Sequence, residues 1–255
     1  LGDVPGGVPA QTDHLFRWLK PLTIPIWRNA AAVTAPSRVV ADLARQAYGV
    51  PVQVIPNGVD LEALRPASPE VSPPVRLVFT GRFTPQKNLE FLIKVLASLK
   101  DLAWRLELVG DGPLRPYLEE LTRRAGLGDR VRFTGWLTPD AALARLREGD
   151  VLLLPSRSEG LPLVGLQALG LGLAIAASDY PSLQELVAEG VNGFTRAVTE
   201  PGPFAAALHT LLTDPDLISR MKRASRTLAR RFDTAQVAAR FEALLAAAAT
   251  GGGKT

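Results

Sequence analysis

Short apolar runs alternate with helical patterns along most of the chain after residue 75. The runs cover residues 76–80, 105–109, 131–133, 151–154 and 174–177. Between them apolar positions recur at helical spacing, as in the segment after Asn88, where Leu92, Val95, Leu96 and Leu99 share one face. Parallel strands need crossover connections, so this order predicts an α/β fold with a Rossmann-like, doubly wound parallel sheet. Ligands of such sheets bind at the carboxyl ends of the strands.

The flanking segments are less regular. Residues 1–50 contain proline-broken apolar pieces, a short strand at 32–35 and a helix to Ala47 that Ser37 caps. A second short strand at 52–56 leads into a proline-rich passage at 65–74, which is typical of a linker. We therefore expect a remnant of another domain at 1–50, a linker at 51–74 and the sheet-bearing domain at 75–231. Helices are predicted at 202–212, 215–231 and 234–249. Residues 232–249 are expected to form a final separate helix, and 250–255 a disordered tail.

Composition is that of an ordinary globular protein, with 47% apolar and 21% charged residues among 255. The absence of cysteine excludes a disulfide framework and thiolate chemistry. A formal charge of +4 favours anionic partners, but no nucleic-acid-binding motif accompanies it. No apolar run approaches the roughly 20 residues of a membrane-spanning helix, so we expect a cytoplasmic protein. With two histidines and no acidic cluster at ligand spacing, no metal site is predicted.

The first candidate site is the segment 81–88, Gly-Arg-Phe-Thr-Pro-Gln-Lys-Asn, between a predicted strand and a helix. Gly81 lets the backbone approach a ligand closely, while Arg82 and Lys87 supply two cations near a helix start. Such an arrangement suits a diphosphate. The alternative is a surface turn whose Arg and Lys are merely solvated.

The second candidate site is the segment 158–167, which follows the buried strand at 151–154. Glu159 falls at the carboxyl edge of the sheet, Gly160 leaves room beside it, and the N–H groups of Leu163 and Val164 would open the next helix. Gln167 is expected on the same side of that helix. Alternatively, Glu159 simply complements the helix dipole.

These motifs, in this order, resemble those of the nucleotide-sugar-dependent glycosyltransferases of family 4, which are retaining enzymes with the GT-B fold. The similarity covers about residues 33–241. It rests on the motifs Ile55–Asp60, Gly81–Arg82 with Lys87–Asn88, Val109–Pro113, Phe133–Gly135 and Glu159–Gln167. The sheet-bearing domain would then be the C-terminal half of a GT-B fold, and residues 1–50 a remnant of its N-terminal acceptor domain.

The resemblance implies roles for individual residues. Arg82 and Lys87 would hold the donor diphosphate, and Glu159 would contact the transferred sugar. The remaining donor contacts are expected from Gly58, Gly81, Gly110, Asp111, Phe133, Gly135, Trp136, Gly160, Leu163, Val164 and Gln167. No separate cofactor is implied. The resemblance favours a UDP-sugar as donor, with a GDP- or ADP-sugar as alternatives.

Gln167 departs from the family pattern, in which a second acid seven residues after the first, E-x7-E, binds the ribose hydroxyls. An amide accepts through one oxygen and lacks the charge of a carboxylate, so nucleotide affinity is expected to be about fivefold lower. This departure leaves open a degenerate homologue with a structural or regulatory role. An epimerase of similar fold is a weaker alternative.

The length of the chain is the second departure. An acceptor domain of comparable size, with its glycine loop and histidine, does not fit into 50 residues, so we expect a fragment that binds donor without transferring sugar. A stand-alone binding subunit of a split glycosyltransferase is the alternative.

Two segments are expected to have lost their partner surfaces. Phe241, Leu244 and Leu245 of the last helix would form an exposed patch or a dimer contact. The segment 16–28, with Trp18 and Trp27, is interpreted as orphaned core rather than as a peripheral contact with the inner membrane face. The basic cluster Lys222, Arg223, Arg226, Arg230 and Arg231 is predicted to be a solvated helix face rather than a lipid site.

Overall fold

The computed structural model describes residues 10–251, with side chains for residues 19–250. The strands are β1 (Thr34–Ala35), β2 (Gln53–Val54), β3 (Val75–Thr80), β4 (Trp104–Val109), β5 (Val131–Gly135), β6 (Val151–Leu154), β7 (Ala174–Ser178) and β8 (Gly193–Arg196). The helices are α1 (Ala10–Asn29), α2 (Arg38–Tyr48), α3 (Leu89–Ala97), α4 (Arg115–Arg124), α5 (Pro139–Glu148), α6 (Leu163–Leu171), α7 (Pro181–Gln184), α8 (Pro201–Thr213), α9 (Pro215–Ala229) and α10 (Thr234–Gly251). Single 3-10 turns lie at Pro85–Lys87 and Arg230–Phe232.

Strands β3 to β8 form one parallel sheet in the order β5-β4-β3-β6-β7-β8. Successive side chains of a strand point to opposite faces, and here both faces are apolar. In β3, for example, Leu77 and Phe79 enter one hydrophobic cluster, whereas Val78 enters another on the opposite face. The predicted α/β fold with a doubly wound parallel sheet is confirmed.

Helices cover both faces of this sheet. Buried residues of α3, α4 and α8 pack on the face of Leu77, and those of α5, α6 and α7 pack on the face of Val78. Helices α3 and α6 therefore leave the neighbouring strands β3 and β6 toward opposite faces. The connections diverge at this point, and a crevice opens at the carboxyl ends of the two strands.

A small unit precedes the large sheet. Strands β1 and β2 pair in parallel, and α2 packs on them around Ala41 and Val50. Ser37 caps α2 as predicted, since its side chain accepts a hydrogen bond from the Val40 N–H. The Trp27 ring of α1 stacks on Tyr48, with 4.6 Å between ring centroids.

The structure differs from the sequence-based expectations in three places. Strand β8 was missed, because it is short and begins with the glycine Gly193. Helix α1 continues through Pro21 and Pro25, where broken pieces were expected; a proline removes one backbone hydrogen bond and kinks a helix without necessarily ending it. Lys222 was placed on a solvated face, and this was wrong, because its ammonium is buried against Asp150.

The exposed apolar residues agree with the expectation of unpartnered helices. Phe241 and Leu245 of α10 and Leu22 and Ile26 of α1 are exposed. What covers these residues, whether the rest of the N-terminal domain, a second chain or a membrane surface, stays a prediction. No helix in the described part of the chain is long and apolar enough to cross a membrane. The expected disordered tail lies outside the described residues from position 252 onward, and the side chains of Phe16 and Trp18 lie outside them as well.

Candidate functional site

The floor of the crevice is made of glycines at the carboxyl ends of adjacent strands. Gly81 follows β3, and its N–H donates to Val109 O at 2.9 Å. Gly110 follows β4 at a φ of +132°, and its N–H donates to Gly135 O at 3.1 Å. A Cβ at Gly110 would lie 2.0 Å from Gly81 O. Only glycine fits there, and a ligand could approach the backbone directly.

The segment after β3 carries the two predicted cations. The Arg82 side chain is exposed, and among the described residues no hydrogen bond or ion pair engages its guanidinium. Phe83 is buried and fixes the segment to the core. Lys87 ends the 3-10 turn, and the left-handed Asn88, at a φ of 56°, redirects the chain into α3. Lys87 thus projects from a short rigid turn rather than from a regular helix.

The acid segment, residues 157–161 after β6, carries the predicted acid. Glu159 has a side chain that is only 8% exposed. Its carbonyl oxygen accepts a hydrogen bond from the Ser182 hydroxyl at 2.9 Å. A Cβ at Gly160 would meet nothing closer than Val40 Cγ2 at 4.0 Å. Space for a ligand therefore lies beside the acid, as the sequence predicted.

The two segments meet through Lys87 and Glu159. The Lys87 ammonium contacts Glu159 Oε1 and forms an ion pair with it, and the Lys87 side chain is 21% exposed. The sequence predicted both residues as site candidates but not their contact, because 72 positions separate them. An ammonium has three donors, so Lys87 can keep this contact and still donate to an incoming anion.

The start of α6 faces the same crevice. The helix begins at Leu163, after Pro162 in an extended conformation. In the described part of the chain, the N–H groups of Leu163 and Val164 have no backbone partner. Free N–H groups and the positive end of the helix dipole favour an anion here. Gln167 lies one helical turn after Leu163, on the same face, and is partly exposed.

The loop after β4 is held by Asp111. Its carboxylate accepts from the Gly112 N–H at 2.7 Å and from Arg115 Nη1 at 2.7 Å. The hydrogen bond from Arg115 has the largest effect on the pKa of Asp111 and lowers it below its usual range, and the hydrogen bond from the Gly112 N–H acts in the same direction. This carboxylate is therefore ionised at neutral pH, and much of its bonding capacity is used within the loop.

The residues predicted to border the base differ in exposure. Phe133 packs edge-on against Phe83, with 6.1 Å between centroids, so its ring belongs largely to the core. Trp136 is 64% exposed and offers a free aromatic face. Gly135 lies between these two residues in the sequence, has a φ of +75° and is close to the Arg115 guanidinium.

The linker reaches the acid segment directly. Asn57 Nδ2 donates to Leu161 O at 3.1 Å. Gly58 lies against the start of α10, where an added Cβ would approach Thr234 Cα to 3.1 Å. Gly58, which was predicted as a donor contact, therefore lies against α10, and its neighbour Asn57 contacts the candidate site.

Sequence reasoning missed several residues of this site. Gln86 is bonded to the acid segment, and Ser182 holds the Glu159 carbonyl. Tyr180 lies near Glu159, and the pKa of its hydroxyl is raised mainly by burial and to a smaller extent by the charge of Glu159. Gln86 falls inside a recognised motif and could have been found there, whereas Ser182 and Tyr180 carry no local signal.

Within the described residues, no group of three or more His, Asp or Glu side chains is arranged to hold a metal ion.

Comparison with known proteins agrees with this geometry. A family model described as glycosyl transferases group 1 matches residues 74–214, and a model described as glycosyltransferase family 4 matches residues 5–63. The first match covers more than half of the chain. The chain belongs to the group 1 glycosyltransferases.

Individual relatives are moderately similar to the chain. The chain is 31% identical over 147 residues to an alpha-D-kanosaminyltransferase of Streptomyces kanamyceticus, covering 57% of this chain and 38% of the relative. It is 31% identical over 208 residues to a D-inositol 3-phosphate glycosyltransferase of Streptomyces bingchenggensis, covering 74% of this chain and 46% of the relative. The chain thus spans less than half the length of either relative.

Solved structures share the fold. The Anabaena protein HepE, solved in complex with UDP and glucose, superposes with a TM-score of 0.79 at 23% identity, covering 92% of this chain and 68% of that one. The chain therefore has GT-B structural neighbours, as the sequence predicted.

Proposed function

We propose that the chain is the donor-binding half of a retaining glycosyltransferase and that it binds a nucleoside-diphosphate sugar, with UDP as the favoured nucleotide. The observation that carries the proposal is the Lys87–Glu159 pair at the crevice between β3 and β6. The cation, the glycine floor and the free helix start suit the negative charge of a diphosphate. The partly buried acid beside them suits the hydroxyl groups of an attached sugar, which can donate hydrogen bonds to it. HepE, a protein of similar fold, was solved with UDP and glucose.

In this proposal the two cations act on the leaving group. Arg82 and Lys87 bind the diphosphate and neutralise the charge that develops as the bond from the anomeric carbon to the diphosphate oxygen breaks. Glu159 accepts hydrogen bonds from the sugar hydroxyls and orients the ring. The acceptor oxygen bonds to the anomeric carbon on the face that the diphosphate leaves, and its proton passes to the departing diphosphate. The anomeric configuration is retained.

The acceptor would be bound by residues beyond this chain, because the chain spans less than half of the relatives compared above. The division into a remnant at 1–50, a linker at 51–74, a donor domain at 75–231 and a final helix belongs to the same proposal. The isolated chain is then expected to bind donor and to transfer no sugar.

Calorimetric titration tests this proposal. UDP, GDP, ADP and their glucose conjugates are titrated into the chain and into Arg82→Ala and Lys87→Ala. Loss of a charged hydrogen bond weakens binding roughly 10- to 100-fold, so each variant should show a loss of that size. Lys94→Ala is the matched control, because Lys94 forms an exposed ion pair with Glu90 on α3.

Binding that favours one base, falls in both site variants and persists in the control supports the proposal. A folded chain that binds none of the nucleotides contradicts it and favours the degenerate homologue that Gln167 suggests. Equal binding by Lys87→Ala and Lys94→Ala contradicts the assignment of Lys87.

A further inference from the structure

Gln86 joins the two segments of the crevice by two hydrogen bonds of its own. Its main-chain carbonyl oxygen accepts a hydrogen bond from the Arg157 main-chain N–H at 2.9 Å. Its side-chain Nε2 donates to Ser158 O at 2.8 Å. Both bonds end on the residues that immediately precede Glu159, and Gln86 itself immediately precedes Lys87. A neutral link therefore runs beside the charged Lys87–Glu159 link.

The turn that carries Gln86 is rigid. Pro85 fixes its first backbone angle, the Lys87 N–H donates to Thr84 O at 3.0 Å, and the Asn88 N–H donates to Pro85 O at 3.2 Å. These bonds use main-chain atoms, so the turn keeps Lys87 in place without the Gln86 side chain. The side-chain amide of Gln86 then positions the acid segment relative to a fixed cation.

The other hydrogen bonds to the acid segment lead elsewhere. Ser182 ties the Glu159 carbonyl to α7, and Asn57 ties the Leu161 carbonyl to the linker. Neither touches the turn of Lys87. Among the described residues, two side-chain contacts join the turn of Lys87 to the acid segment. One is the ion pair of Lys87 itself, and the other is the hydrogen bond of Gln86.

A bound diphosphate would change the balance between the two links. Its oxygens compete with Glu159 for the donors of Lys87, so the charged link weakens when donor is present. The hydrogen bond of Gln86 joins an uncharged amide to the Ser158 main-chain oxygen and does not use the Lys87 ammonium, so it persists. It then holds Glu159 at a fixed offset from Lys87.

We propose that Gln86 is a positioning residue that keeps Glu159 in register with Lys87 while the diphosphate is bound. The proposal rests on the donor-binding function proposed above. Its consequence is specific: loss of the Gln86 amide should impair contact with the sugar, which depends on Glu159, and leave binding of the nucleoside diphosphate, which depends on Lys87, nearly unchanged.

The test compares Gln86→Met with the unsubstituted chain, because methionine has a similar length and no amide donor. UDP and UDP-glucose are titrated into each protein. Loss of one net hydrogen bond, about 1 kcal/mol, corresponds to about fivefold. We expect the dissociation constant for UDP to change less than about twofold, and the ratio of the UDP-glucose constant to the UDP constant to rise about fivefold.

The matched control is Gln184→Met. Gln184 Nε2 also donates to a backbone oxygen, that of Asp179 at 3.0 Å, but it lies on the exposed side of α7. The control should leave both dissociation constants unchanged. An unchanged ratio in Gln86→Met overturns the proposal, and so does an equal loss of affinity for both ligands with a lower melting temperature, which marks a purely structural role.

Amide hydrogen exchange separates this proposal from the proposed function. Exchange of the Arg157 amide, whose N–H donates to the main-chain oxygen of Gln86, should be at least about tenfold faster in Gln86→Met than in Gln184→Met, since this hydrogen bond opens locally when the side-chain bond to Ser158 is lost. If the unsubstituted chain binds neither UDP nor UDP-glucose, the donor-binding function fails. Faster exchange then still supports the link by which Gln86 holds the acid segment against the turn of Lys87, and unchanged exchange overturns it.

Discussion

Lys222 Nζ lies 2.9 Å from Asp150 Oδ1, and the two side chains are 1% and 0% exposed. Arg76 completes the cluster, because its Nε donates to Asp150 Oδ2 at 3.0 Å. Asp150 precedes β6, Arg76 lies in β3 and Lys222 lies in α9. The cluster therefore ties a helix to the amino ends of the two strands whose carboxyl ends form the crevice.

Removal of Asp150 should destabilise the fold strongly. In Asp150→Ala the Lys222 ammonium stays buried without its partner, and breaking a buried pair in this way costs about 3–5 kcal/mol of the free energy of unfolding. Chemical denaturation measures this quantity. Asp42→Ala is the control, since Asp42 forms an exposed pair with Arg45 and should change it by less than about 1 kcal/mol. Similar losses in the two variants would contradict this reading of the cluster.

The same carboxylate should govern stability in acid. Burial opposes ionisation of Asp150, but hydrogen bonds from Arg76 and Lys222 outweigh it and hold the pKa of this carboxyl below its usual range. A folded-state pKa below the unfolded value of about 3.9 gives stability that is present above about pH 4 and is lost as the pH falls through the folded-state pKa.

Asp150→Asn isolates this contribution, because the amide does not titrate. The difference in the free energy of unfolding between the unsubstituted chain and Asp150→Asn should shrink as the pH falls from about 5 toward 2. Urea denaturation at several pH values measures it. A difference that stays constant over this range would show that Asp150 titrates normally in the folded state.

Gly110→Ala should damage both the fold and the site. The new Cβ would lie 2.0 Å from Gly81 O, at a backbone φ of +132°. Backbone strain and overpacking together should lower the free energy of unfolding by about 2 kcal/mol or more and displace Gly81. In Gly128→Ala the added Cβ meets no heavy atom within 4 Å, so this control should retain both stability and UDP binding. Normal UDP binding by Gly110→Ala would argue against the glycine floor as a ligand surface.

Gln167→Glu should strengthen nucleotide binding if the ribose lies beside this position. A carboxylate accepts two charge-assisted hydrogen bonds, whereas the amide accepts through one oxygen, so UDP should bind about fivefold more tightly. Pyrophosphate, which has no ribose, is the control ligand and should gain nothing, since the added negative charge opposes it. Equal effects on UDP and pyrophosphate would place Gln167 away from the ribose.

The fold class and the residue types of the site were accessible from the sequence alone. Short apolar runs and segments with apolar positions at helical spacing are local properties, and their alternation predicted the parallel sheet. Gly81, Lys87 and Glu159 were predicted as site candidates because each follows a predicted strand, where parallel sheets gather their ligand groups. Strand β8, opening on Gly193, gave too short a signal to be recognised.

Only the tertiary structure decided which of these residues meet. The contacts of Lys87 with Glu159 and of Gln86 with Ser158 each join positions 72 residues apart, and so does the buried pair of Lys222 and Asp150. Whether a charge is solvated or paired depends on the strand order and on helix packing, which bring distant segments together. A basic helix pattern therefore predicted a solvated Lys222, whereas the packing of α9 against the sheet buried it on Asp150.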